Sequence, residues 1–123
     1  MMHLAFDVLA ITALIGAGLA VHYLRGPAAK APHPLLLLVH GALGTAGLGL
    51  LLAVLHHGLP QTDNGTSGFG IIAAACFGVA LAFGLVIALV VWRGRRPSGF
   101  VIATHASIAI AGLVVLATLV VLG

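Results

Sequence analysis

Four apolar runs constrain this chain more than anything else in it. They cover residues 4–24, 35–55, 69–92 and 100–122, and Asp7 is the one charged residue inside them. Each is about 20 residues or longer, and at about 1.5 Å of rise per residue that length crosses a hydrocarbon layer of roughly 30 Å. Backbone groups in lipid must be satisfied within the segment, so the runs are expected to be helices despite the β-branched residues in the last two. The chain is 62% hydrophobic and 6% charged, with a mean hydropathy of +1.27, and this cannot clothe a water-soluble domain in polar surface. The expected fold is therefore all-α: an integral membrane four-helix bundle forming a single transmembrane domain over residues 1–123. No basic residue precedes Arg25, so the first run is read as a retained span rather than a cleaved signal peptide. Cys76 is alone and is read as a small packing residue.

The charges give an orientation. All five basic residues fall in two connections, Arg25 and Lys30 in the first and Arg93, Arg95 and Arg96 in the third. Asp7 and Asp63 belong to the opposite side. The positive-inside rule makes the loops at 25–34 and 93–99 cytoplasmic and both termini exterior or periplasmic, as for a protein of a bacterial cytoplasmic membrane. Tyr23 and Trp92 stand beside the basic loops, where interfacial aromatic residues collect. The net charge of +3 then reflects topology and attraction to anionic headgroups, and no nucleic-acid partner is expected.

The two halves of the chain look alike. "YLRG" (Tyr23–Gly26) ends the first run and "VWRG" (Val91–Gly94) ends the third. "LVHGALGTAGLGLLLAVL" in the second run aligns with "ATHASIAIAGLVVLATLV" in the fourth, pairing His40 with His105 and Gly47 with Gly112. The simplest reading is a repeated antiparallel helical hairpin, residues 1–58 and 66–123, related about an axis along the membrane normal.

That repeat singles out the histidines. His40 and His105 each lie a turn or two inside a helix from the basic end, so they are expected at matching depth. At about 100° per residue, Gly44 and Gly47 share the face of His40, and Ala109 and Gly112 share that of His105. An ionisable residue within a membrane span points to function. A neutral imidazole can give one nitrogen to a metal while the other donates to a carbonyl. Two such residues on different helices suit bis-histidine ligation of a haem, with the small residues admitting a flat group. The competing reading makes each histidine a hydrogen-bonding tie between helices, worth about 1 kcal/mol. His22, near the basic end of the first run, could replace either ligand. The arginines and Lys30 could meet haem propionates.

With these residues, four spans and "VHGALGTAG" beside "THASIAIAG", the chain resembles the small four-helix b-type membrane cytochromes, the quinone- or ascorbate-linked bis-histidine haem proteins. The resemblance implies single-electron transfer through haem b, with His40 and His105 as axial ligands to the iron and a quinone or a redox protein as partner. The chain departs from the di-haem members. His3, His56 and His57 are its outward histidines, neither His56 nor His57 shares the face of His40, and the fourth run has no second histidine. One haem is expected. His3, Asp7, His56, His57 and Asp63 could alternatively bind Cu or Zn at the exterior face.

A second functional class fits the same features: a haem-free anchor or assembly subunit of a larger membrane complex, or a homodimer, held by its small-residue faces. Two acidic residues in total supply no Ser/His/Asp constellation or paired carboxylates, so an enzyme reading is weak, and Asp7 alone is a poor proton relay for a transporter.

Overall fold

A computed structural model of the chain describes residues 1–26, 33–58 and 66–122. It contains four helices: α1 (Met2–Arg25), α2 (Pro34–His56), α3 (Thr66–Trp92) and α4 (Gly99–Leu122). All four are long and apolar enough to cross a membrane, and among the described residues there is no strand. The helices overrun the expected spans by one to three residues at several ends, and capping groups secure two of these ends. At the start of α2 the His33 side chain accepts from the Leu35 amide, with Pro34 at the first helical position, where its missing N–H costs nothing. Ser98 Oγ accepts from the Val101 amide at the start of α4. Gly94, at φ 70°, makes the turn after α3 that a side chain would strain.

Each helix packs on two others in a closed square, α1 on α2 and α4, α3 on α2 and α4. No backbone approach within 8 Å joins α1 to α3 or α2 to α4 among the described residues, so these are the diagonals. Large apolar side chains face outward on every helix, Leu14, Leu24, Leu85 and Val121 among them. Such a surface is stable against lipid and not against water.

The buried core occupies only one half of the bundle. Ala5 and Leu9 of α1 meet Leu51 of α2, Ala73 and Phe77 of α3, and Leu116 and Leu119 of α4. Gly47 and Gly112 let the chains come together there. A Cβ on Gly47 would fall 2.7 Å from Leu9, and one on Gly112 would fall 3.0 Å from Cys76 and 3.3 Å from Phe77. Lipid supplies no hydrophobic drive between helices, so this close fit holds the bundle by dispersion. Buried positions end at Thr12 in α1 and Ala80 in α3, and begin at Gly47 in α2 and Gly112 in α4. Beyond them, toward the arginine-bearing end, no described helix residue is buried.

Truncating the core should therefore weaken the bundle where truncating its lipid face does not. Leu51→Ala or Leu116→Ala, each removing a fully buried side chain, is expected to cost about 2–3 kcal/mol in a denaturant titration in micelles. Leu85→Ala, on the outer surface, is expected to stay within about 0.5 kcal/mol.

Candidate functional site

His40 and His105 lie where the core stops. His40 is six residues into α2 and His105 six residues into α4, about 9 Å from the basic end at the usual helical rise. Both side chains leave their own helices for the bundle interior. His40 Nδ1 donates to the main-chain carbonyl of Thr12 on α1, at 3.0 Å. His105 Nδ1 donates to that of Ala80 on α3, at 2.8 Å. A carbonyl can only accept, so each Nδ1 carries a proton, and in the neutral ring the Nε2 lone pair is left uncommitted.

The two rings then meet across the α2–α4 diagonal, with centroids 6.0 Å apart and planes at 72°. Two imidazoles sharing one metal ion, with metal–nitrogen bonds of about 2.0 Å, have ring centres roughly 5–6 Å apart, depending on the angle at the metal. The separation, the two uncommitted Nε2 atoms and the partial exposure of both rings fit the donor set of a bis-imidazole haem.

One glycine lies against each ring. A Cβ on Gly16 would fall 2.7 Å from His40 Cε1, and one on Gly84 would fall 3.2 Å from His105 Cε1. Gly16 stands one turn after Thr12, and Gly84 one turn after Ala80. These two were not among the residues picked from the sequence. The signal available was their position in "YLRG" and "VWRG" helices, seven residues before Tyr23 and before Val91 respectively. Gly44, Gly47 and Gly112 lie on the faces expected of them, but they meet side chains of the neighbouring helix: Thr12 for Gly44, Leu9 for Gly47, Cys76 and Phe77 for Gly112. Ala109 is partly buried one turn beyond His105.

His22 does not join the pair. It lines an open groove of ≈ 440 Å³ between α1 and α2 with Ile15, Gly18, Leu19, His33 and Leu36. At the opposite end, the exposed rings of His56 and His57 are 5.7 Å apart. They do not assemble with His3 or Asp7, and among the described residues no group of three histidine, cysteine or acidic side chains could hold a metal ion. Asp63 and Lys30 lie outside the described residues.

The basic end is tied together by Tyr23 and Arg96. The Tyr23 hydroxyl donates to the Pro97 carbonyl, linking α1 to the α3–α4 turn. The Arg96 guanidinium stacks 4.7 Å above the Tyr23 ring and donates to the Tyr23 carbonyl at 3.4 Å. This tie closes the end of a half-bundle that has little core of its own.

Compared with known protein families, with characterised proteins and with solved structures, the chain matches none. The site must be read from its own geometry. Tyr23→Phe, which deletes the hydroxyl and keeps the ring, is expected to lower stability in micelles by about 1 kcal/mol. An unchanged transition would show that the tie contributes nothing.

Proposed function

We propose that the chain is a b-type membrane cytochrome in which His40 and His105 would hold a single haem through their imidazoles. The observation that carries this reading is the pair of imidazoles 6.0 Å apart across the bundle, each with Nδ1 on a main-chain carbonyl. Helix ties need only one histidine and one acceptor. Two histidines turned toward each other, each leaving Nε2 uncommitted, are better explained by a shared ligand. Haem b, when bound, supplies a one-electron Fe(III)/Fe(II) couple. The chain supplies everything around it. The Thr12 and Ala80 carbonyls fix the tautomer and raise the basicity of the ligating nitrogens. The apolar helices exclude water. The arginines of the near end offer partners for haem carboxylates.

The matched contacts of the two histidines favour a duplicated hairpin, because Thr12, Gly16 and His40 in one half play the parts of Ala80, Gly84 and His105 in the other. We further propose a quinone as the electron donor or acceptor. The α1–α2 groove supports this: it is apolar, it carries the imidazoles of His22 and His33, and Leu36 stands one turn before His40. A redox subunit of a larger complex is the other partner we propose. The clustering of Arg25, Arg93, Arg95 and Arg96 at one end supports a cytoplasmic location for that end.

The protein purified in mild detergent from haem-sufficient cells is expected to show a low-spin b-type spectrum that sharpens on dithionite reduction. His40→Ala and His105→Ala should each abolish it, and His22→Ala should leave it. A colourless wild-type protein that stays featureless with added haem would leave the alternative, a haem-free anchor subunit. For topology, single cysteines in a Cys76→Ser background discriminate: His57→Cys should react with a membrane-impermeant maleimide on intact cells, and Ser98→Cys only after permeabilisation. The reverse labelling would contradict the orientation.

A further inference from the structure

We propose that Gly16 and Gly84 are positioning residues: they seat the imidazoles of His40 and His105 against α1 and α3, so that Nδ1 is held on a carbonyl and Nε2 is presented to a ligand. The seat has the same parts on both sides. A carbonyl one turn earlier, Thr12 or Ala80, takes the Nδ1 proton, and the glycine lets the ring lie flat enough to reach it. A helical carbonyl is already occupied by the amide four residues on, which here is the amide of Gly16 or of Gly84. The histidine must therefore approach from the side, over the glycine's α-carbon. Any side chain there stands in its way.

The two seats differ in tolerance. An added Cβ at Gly16 would lie 2.7 Å from Cε1, 3.4 Å from Nδ1 and 3.5 Å from Nε2 of His40. An overlap that close must be relieved by moving the ring or the helix, and either movement disturbs the bond to Thr12. At Gly84 the distances to His105 are 3.2 Å to Cε1 and 3.6 Å to Nδ1. A shift of a few tenths of an ångström relieves that contact and keeps the bond to Ala80. His40 is thus the strictly seated ligand and His105 the more forgiving one. Gly18 and Gly78 lie on the same two helices with nothing within 4 Å of an added Cβ. Alanine at those positions improves helix propensity without touching a ring, so they separate seating from a general effect on the helix.

The inference rests on the haem reading for its redox consequences, but the seat can be tested without haem. The full chain, labelled with ¹⁵N-histidine and held in micelles, is compared with Gly16→Ala, Gly84→Ala, Gly18→Ala and Gly78→Ala, with His40→Ala and His105→Ala assigning the signals. The wild type should show both rings with the proton on Nδ1. Gly16→Ala should shift His40 toward the Nε2-protonated form that prevails in free imidazole side chains. Gly84→Ala should move the His105 signals by less, and Gly18→Ala and Gly78→Ala should move neither. With haem supplied, Gly16→Ala should raise the haem dissociation constant about ten-fold, as loss of one hydrogen bond implies, and Gly84→Ala should raise it less. His40 signals unmoved in Gly16→Ala, or moved as far in Gly18→Ala, would overturn the proposal. Should Gly16→Ala fail to fold, Gly84→Ala decides: His105 signals that do not move overturn the seat. Ring signals that move as expected in a chain that takes up no haem would uphold the seat and remove the haem reading.

Discussion

An imidazole inside a membrane helix must find its hydrogen-bond partner within the protein, and here the partner is the backbone of another helix. The bonds from His40 to Thr12 and from His105 to Ala80 draw each ring off its own helix and toward the bundle axis. Neither bond links a diagonal pair; each lies within one hairpin, α1 with α2 or α3 with α4. Only when the two hairpins pack do the rings face each other across the α2–α4 diagonal. The site is thus assembled from two internally satisfied halves. This explains how two polar groups can sit at the centre of an apolar bundle without stranding a donor, and no buried side-chain nitrogen or oxygen among the described residues lacks a partner.

The packing divides at the same level. On one side of the rings, Leu51, Phe77 and Leu116 fill the interior, and Gly47 and Gly112 bring the helices close enough for them to do so. On the other side the helices carry Gly16, Gly84 and the imidazoles, and no helix residue there is buried. The fully buried positions stop at the level of His40 and His105, and the tie between Tyr23 and Arg96 closes the end beyond them.

The four helices were legible in the sequence because spanning a membrane is a matter of length and hydropathy, both local properties. The meeting of His40 and His105 was foreshadowed by their matching positions in the second and fourth runs. What could not be read was which helices neighbour one another, and so which backbone each histidine would reach. Helical angles put Gly44 and Gly47 on the face of His40, and that face does look inward. Its glycines, however, meet α1 side chains, because a histidine ring extends well beyond the footprint of its own helix. The glycine that admits the His40 ring is Gly16, on the helix it reaches toward, and the same geometry makes Gly84 the counterpart for His105. The outward histidines show the limit of clustering by end of the bundle: His3, His56 and His57 share an end without sharing a site.

The account ties one pair of imidazoles to one cofactor and gives the other histidines no part in holding it. Stoichiometry tests that most directly. The chain, purified after expression with ample haem, is assayed for haem by pyridine haemochrome and for protein by amino-acid analysis. The account predicts one haem b per chain. Two haems per chain would contradict it by requiring a second ligand pair that the bundle does not assemble among its described residues, and none would contradict it outright.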